Sequence, residues 1–297
     1  MKLVAKNRLR RGFVRVSHPY LIPALIAGVM QGVVEWLPIS SKTMITLYFA
    51  LLGVKLQNAY NLGLIANFGS FFAAAYYFRR EVWLTLKALA HPFSDQPYAR
   101  LLRFLVGGTL ATGIIGIPLY LFVRQTFTVI GGSAAMLGIG VLLLITGVVA
   151  RRKELLLARA SHHAESTQPV TLWAAVITGG MQGLAALPGI SRSGMTITPL
   201  LWMGFSGKEA IRLSFMLDVL ALVGAGVVPM VIGHGGAQAV VQFGTEATLL
   251  MVAVATLVSF LAISGVLTLA QRLRTSTVTF GIGGITLLVA VLAVWRL

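Results

Sequence analysis

Six stretches of the chain, at about 61–78, 101–123, 128–149, 213–232, 247–270 and 278–295, run for the length of a bilayer core with few or no charged residues. A helix rises about 1.5 Å per residue, so ~20 apolar residues in a row cross the hydrocarbon. The composition agrees, with 57% of the residues hydrophobic, only 11% charged, and a mean hydropathy of +0.86. A soluble domain carries roughly 25% charged residues, and a disordered chain holds far less apolar surface. Both classes are excluded, and an all-α integral membrane protein is expected. The absence of cysteine also excludes disulfides, thiol catalysis and Cys-ligated zinc.

Four further apolar stretches, about 21–36, 43–54, 172–187 and 195–205, are too short or too interrupted to span. They form two pairs, broken at Leu37-Pro38-Ile39-Ser40-Ser41-Lys42 and at Leu187-Pro188-Gly189-Ile190-Ser191-Arg192-Ser193-Gly194. Non-helical backbone at membrane depth survives only where it is buried in protein or lines a cavity, so each pair reads as a re-entrant helix–loop–helix. A shift of 151 residues lays one break on the other. Gly28-Val29-Met30-Gln31-Gly32 falls on Gly179-Gly180-Met181-Gln182-Gly183, Ile39-Ser40 on Ile190-Ser191, Met44 on Met195, Gly53 on Gly204, and Asn67 on Asp218. The expected organisation is a single membrane domain over 1–297, with repeat one at 20–150, repeat two at 171–297 and a basic arm at 1–19. Each repeat holds one re-entrant pair and three of the six full transmembrane helices. Three is odd, so the second repeat starts on the opposite side of the membrane. That makes an inverted-topology repeat whose two tips meet near the midplane. The glycines 28, 32, 179 and 183 read as close helix packing of the GxxxG kind.

The net charge is +16. In a soluble protein this would suggest nucleic acid. Here basic residues beside the spans answer to anionic lipid and set topology, so nucleic acid is not an expected partner. The loops 79–100, 150–171, 206–212 and 271–277 carry most of the bases and mark their side as cytoplasmic, whereas the arm, with Lys2, Lys6, Arg8, Arg10, Arg11 and Arg15, opposes that assignment. The arm and the apolar stretch after it resemble a secretory signal. Gln31 and Glu35 interrupt that stretch and no small-residue cleavage site follows, so retention is expected.

Of the acids, only Glu35 and Asp218 fall within apolar segments, and Lys42 and Arg192 sit at the two tips. An intramembrane charge costs ~2.5–3.5 kcal/mol on insertion scales, so it is paired, hydrated or functional. Ser40, Ser41, Ser191 and Ser193 offer hydroxyl donors, and Arg192 offers a planar fork suited to phosphate oxygens. Gly189 and Gly194 would let the backbone approach a ligand and turn its N–H groups inward, and a half-helix begins just after each tip. These features describe a phosphate or pyrophosphate site inside a bilayer, matched by a phosphate headgroup on a long lipid tail. For Glu35 the alternative is a structural ion pair with Arg192 or Lys42. For Asp218 the alternatives are a pair with Arg212 or a place at the polar centre. His18, His91, His162, His163 and His234 fall in loops or at span edges.

At these residues the sequence resembles the undecaprenyl pyrophosphate phosphatase family of bacterial and archaeal membranes, also called bacitracin-resistance proteins. Pro188-Gly189-Ile190-Ser191-Arg192-Ser193-Gly194 matches that family's P-G-x-S-R-S-G motif. Gln31-Gly32-Val33-Val34-Glu35-Trp36-Leu37-Pro38-Ile39-Ser40-Ser41 matches its E-x-x-x-E-F-L-P-x-S-S except at two positions. Leu213-Ser214-Phe215-Met216-Leu217 and Asn67-Phe68-Gly69-Ser70 echo two further stretches. The resemblance implies removal of the terminal phosphate from a C55 polyprenyl pyrophosphate, in the cell membrane, to give the lipid carrier of wall synthesis. It implies a catalytic set of Glu35, Ser41 and Arg192, beside which the tip residues Ser40, Lys42, Gly189, Ser191, Ser193 and Gly194 are expected to bind substrate on their own chemistry. Gln31, Gln182, Asn67 and Asp218 are auxiliary. A divalent cation, magnesium or calcium, would sit at Glu35. The expected partners are the pyrophosphate lipid, membrane lipids and a second copy of the chain in a homodimer. Two positions depart from the family: its first Glu is Gln31 and its His is Met44. Asp218 is placed to supply the missing carboxylate and Lys42 to replace part of a metal's charge. The competing reading is a transporter or flippase that uses the same anion site without chemistry.

Overall fold

The computed structural model describes residues 20–37, 39–130, 132–160, 168–232, 235–270 and 275–295. The basic arm 1–19, Pro38 of the first break, and His18, His162, His163 and His234 lie outside them. The described residues form helices and connecting turns, with no strand among them.

Among the described residues twelve α-helices occur: α1 Leu21–Val34, α2 Ser41–Leu51, α3 Leu56–Tyr77, α4 Arg79–Lys87, α5 Pro97–Val129, α6 Gly132–Ala160, α7 Leu172–Gly183, α8 Arg192–Trp202, α9 Gly207–Val231, α10 Gly235–Phe243, α11 Thr245–Ala270 and α12 Thr275–Trp295. All six long apolar stretches are helical over most of their described residues. Four of them, α5, α6, α9 and α11, are long and apolar enough to cross a membrane, so this is a multi-pass membrane protein. Helix α3 has the length, at 22 residues, but Gln57, Asn58, Asn61, Asn67 and Ser70 lower its hydropathy. In α12 the described apolar stretch is Ser276–Leu292. The two 9-residue helices α4 and α10 replace what the sequence suggests are loops. Their apolar runs are too short to stand out beside the spans.

Local chemistry explains several boundaries. The Thr171 hydroxyl caps α7 by accepting from Ala174 N at 3.1 Å. Ser206 caps α9 by accepting from Glu209 N at 3.3 Å, with Glu209 favourably in the first turn. Pro97 opens α5 at its first position, where no N–H bond is lost. Helices α2 and α8 both stop on a left-handed glycine, Gly53 at φ 82° and Gly204 at φ 87°, which are the two positions the 151-residue shift superposes.

Packing follows the same correspondence. Helix α1 lies along α11, α7 lies along α5, α3 crosses α9, and α6 runs beside α12. Lipid tails are as apolar as leucine, so helices associate in a membrane through close contact rather than hydrophobic transfer. The glycines of α1 and α7 allow this. A Cβ on Gly28 would lie 2.7 Å from Met251 O, one on Gly32 2.6 Å from Val258 Cβ, and one on Gly183 2.7 Å from Ile115 Cβ. The two largest buried apolar clusters among the described residues form around Phe49, Leu62 and Met251 and around Leu200, Leu213 and Leu217. Ile114, Val129, Val241 and Leu261 are mostly exposed on the outside, the inversion expected where the solvent is lipid.

Candidate active site

Both helix pairs break where their sequence cannot continue a helix. After α1, the chain turns through Glu35, Trp36 and Leu37 and re-enters a helix at Ser41. After α7, a 3-10 turn at Leu184–Ala186 leads to Gly189 at φ 98°, a left-handed conformation that favours glycine. The two breaks meet. Lys42 Nζ donates to Ala185 O and, at 3.5 Å, to Ile190 O, and Gly189 N donates to Thr43 Oγ1 at 2.6 Å. Thr146 of α6 buttresses the second break, donating to Gly189 O at 2.6 Å and accepting from Ser191 N at 3.3 Å.

At the junction the charged residues form one assembly. Arg192 Nη2 donates to Glu35 Oε1, and Arg192 Nε lies 3.2 Å from Asp218 Oδ1. That second contact is an ion pair off the N–H axis, so Asp218 Oδ1 accepts no hydrogen bond. Glu35 Oε2 accepts from Ser41 Oγ and, at 2.8 Å, from Gln31 Nε2. Gln31 is fully buried, and its amide nitrogen also has Asn67 Oδ1 at 3.2 Å and Ser70 Oγ at 3.1 Å within reach. It has two hydrogens for three acceptors. Asp218 does not pair with Arg212, which bonds Glu209 instead.

Glu35, Ser41, Arg192 and Asp218 line a cavity of about 290 Å³. Glu35, Ser40, Ser41, Lys42, Asn67, Ser191, Arg192, Ser193 and Asp218 supply the polar lining, with Gln182 across from them. The remaining walls are one face of α5 (Thr109, Thr112, Gly113, Gly116, Ile117 and Tyr120), one face of α9 (Ala221, Gly224, Ala225 and Val228), and Tyr60 and Leu64 of α3. Spacings of three and four residues place each set on a single helix face. A charged head and an apolar barrel follow one another along the same space.

Not every residue expected at the site stands there. Gly189 and Gly194 do not line the cavity. A Cβ on Gly189 would meet Leu142 of α6 at 2.8 Å, its N–H is taken by Thr43, and Gly194 faces Val149. Both glycines fit the second break against α6, and the Gly189 N–H is already taken. Lys42 lines the cavity, but its ammonium is engaged by carbonyls at the end of a helical turn, where a cation is favourable. Gln182 gives its amide hydrogen to Thr112 Oγ1 at 3.1 Å. Tyr60 and Tyr120, stacked at 6.1 Å, carry no sequence signal as cavity walls. Only the small-residue face of α5 hints at a space there.

The donor set can be tested against a divalent cation. Glu35 and Asp218 are the two carboxylates, with amide and hydroxyl oxygens beside them, and no group of three or more His, Cys, Asp or Glu occurs among the described residues. All these donors are oxygen. Magnesium ordinarily takes one or two carboxylates and completes its shell with water and substrate phosphates. The residues therefore fit a cation bound jointly with a phosphate ligand, not one caged by the protein alone.

Residues 24–289 match the family model described as bacitracin resistance protein BacA. An undecaprenyl-diphosphatase of Saccharolobus islandicus is 39% identical over 256 residues, covering 85% of this chain and 89% of that protein. The undecaprenyl-diphosphatase of Methanopyrus kandleri is 35% identical over 271 residues, 91% and 96% of the two chains. That of Pyrobaculum aerophilum is 36% identical over 263 residues, 88% and 93%.

Proposed function

The chain belongs to the bacitracin resistance protein BacA family, and from that premise we propose that it hydrolyses undecaprenyl pyrophosphate to undecaprenyl phosphate and inorganic phosphate in the cell membrane. One observation carries the reading. A half-buried guanidinium lining a largely apolar cavity is held by two carboxylates, one of which also accepts a serine hydroxyl. The apolar walls suit the first isoprene units, and the polar end suits the diphosphate.

Phosphoryl transfer asks chiefly for positioning and charge stabilisation. Arg192 exchanges its Glu35 contact for the terminal phosphate, binding it through its Nη edge while Asp218 keeps the Nε edge. Ser193 and Ser191 donate to the remaining oxygens. That exchange leaves Glu35 Oε2 on Ser41 Oγ, the pairing of base and nucleophile that hydroxyl attack needs. Ser41 Oγ bonds to the terminal phosphorus while Glu35 takes its proton. The bridging P–O bond breaks, and undecaprenyl phosphate departs with the electron pair and receives that proton. In the second half, Glu35 takes a proton from water as it attacks the phosphoserine, and returns it to Ser41. Gln31 holds Glu35 Oε2 in line through its 2.8 Å bond. A divalent cation held by Glu35 and Asp218 together with the phosphates would supply further charge neutralisation.

Phosphate release from undecaprenyl pyrophosphate by the purified protein tests the reading. Glu35→Gln keeps the shape but cannot accept the proton, so turnover should fall by at least about 100-fold with lipid binding retained. Binding without hydrolysis by the wild type, under magnesium and calcium alike, would remove the enzymatic reading.

A further inference from the structure

Gln31 steadies Glu35, and its own hold is one-sided. It is fully buried in α1 where that helix meets α3 and α11. Three acceptors surround its amide nitrogen, while its amide oxygen has no donor among the described residues. An amide turned over about its last bond would bring that oxygen against Glu35 Oε2, and Glu35 would lose its bond. Two residues of α3 face the nitrogen and decide which way the amide lies. Asn67 Nδ2 donates to Gly63 O at 3.3 Å, so Asn67 Oδ1 is the atom left facing Gln31. Ser70 is different, because a hydroxyl donates as readily as it accepts.

The direction of the Ser70 hydroxyl is settled one residue further out. Ser259 of α11 is fully buried, and its Oγ lies 3.0 Å from Ser70 Oγ and 3.5 Å from Gly32 O. A carbonyl can only accept, so Ser259 gives its proton to Gly32 O and takes the Ser70 proton. Ser70 then has only lone pairs to offer Gln31, whose Nε2 donates to it at 3.1 Å. The series runs one way, from Gln31 to Ser70, from Ser70 to Ser259, and from Ser259 to Gly32. Neither serine lines the cavity, so a ligand there does not compete for them.

We propose that Ser70 and Ser259 are positioning residues for Glu35, acting through the Gln31 amide. Ser259 commits the Ser70 proton, Ser70 is thereby confined to accepting, and the amide keeps its nitrogen toward the carboxylate. Without the Ser259 hydroxyl, Ser70 is free to donate to the Gln31 amide oxygen, the acceptor that has no partner. An amide that turns to meet that proton leaves Glu35. Helix α11 lies in the second half of the chain, so the carboxylate in the first break is set from the other half. That Glu35 acts as the base rests on the function proposed above; the one-way series of bonds does not.

The test is a double-mutant cycle on the full chain in detergent micelles, with the fold of each variant checked by thermal unfolding. Ser259→Ala should lower kcat for phosphate release from the pyrophosphate lipid about fivefold, with KM within about twofold of wild type because Arg192 is untouched. Adding Ser70→Ala should then recover most of the loss. A residue that cannot donate cannot draw the amide round, and Asn67 still orients it. Two residues with a merely structural part would instead make the double variant slower than either single one. An unchanged kcat in Ser259→Ala, or a double variant no faster than Ser259→Ala alone, would overturn the proposal. The same cycle is read without the lipid through a fluorophosphonate, whose phosphorus bonds to Ser41 Oγ as fluoride leaves, with mass spectrometry of the labelled serine. A wild type that labels at Ser41 but releases no phosphate from the lipid would remove the hydrolase reading, and the labelling rates would still decide the proposal.

Discussion

Arg192 is shared by two carboxylates, while the Lys42 ammonium nearby is engaged by carbonyls, at the place where a negatively charged ligand must bind. The arrangement works only if the carboxylates have separate tasks. Glu35 is committed through both oxygens, to Arg192 on one and to Ser41 and Gln31 on the other. Asp218 touches only the Nε edge of the guanidinium, and its Oδ1 forms no hydrogen bond. It can therefore hold the edge that phosphate does not need while the Nη edge turns to the ligand. Asp218→Asn should loosen that hold and lower kcat/KM roughly tenfold, with lipid affinity falling in step. Steady-state kinetics within twofold of wild type would take Asp218 out of the site. The sequence exposes Glu35, Asp218 and Arg192 as charges where the bilayer makes charge expensive, because that cost depends on position alone. It does not expose who pairs with whom. Arg212 is nearer to Asp218 along the chain, yet the partner is Arg192, and the acceptors of Lys42 lie in the other half of the chain.

Helices are the scale at which the sequence is most legible, because a run of apolar residues of bilayer length has few other destinies. The breaks at 37–42 and 187–194 are legible for a related reason: Pro, Gly and Ser at membrane depth need a cavity or a partner, and the structure supplies both. Helix α4 is hidden because Arg79, Arg80, Glu81 and Lys87 give it the composition of a loop. The hollow is hidden as well, because a glycine that packs and a glycine that leaves room look alike in sequence. Gly32 and Gly224 show the difference. A Cβ on Gly32 would collide with Val258 at 2.6 Å, whereas one on Gly224 meets nothing within 4 Å. Gly32→Ala should therefore part α1 from α11 and cost about 1–3 kcal/mol, read by unfolding in detergent. Gly224→Leu should leave unfolding unchanged and raise KM for the C55 substrate by projecting into the barrel. Equal effects of the two substitutions on stability would show that α9 packs more tightly at Gly224 than its surroundings indicate.

For the whole molecule the open matter is how the two halves face the membrane. Their contacts are exchanged in a regular way. Helix α1 of the first half packs on α11 of the second, α7 of the second packs on α5 of the first, and the two breaks bond to each other across the interface. A pseudo-two-fold relation between the halves produces such an exchange, and an axis in the membrane plane would place equivalent residues on opposite faces. An axis along the membrane normal would place them on the same face. The chain contains no cysteine, so single cysteines report without background. Ser94, in the turn before α5, and Thr245, at the start of α11, are separated by the same 151 residues that superpose the breaks. The orientation favoured by the basic loops, and opposed by the basic arm, would put Ser94 on the cytoplasmic side. In spheroplasts, a membrane-impermeant maleimide should then label Thr245→Cys at once and Ser94→Cys only after permeabilisation. Labelling of both from one side would sink the inverted arrangement.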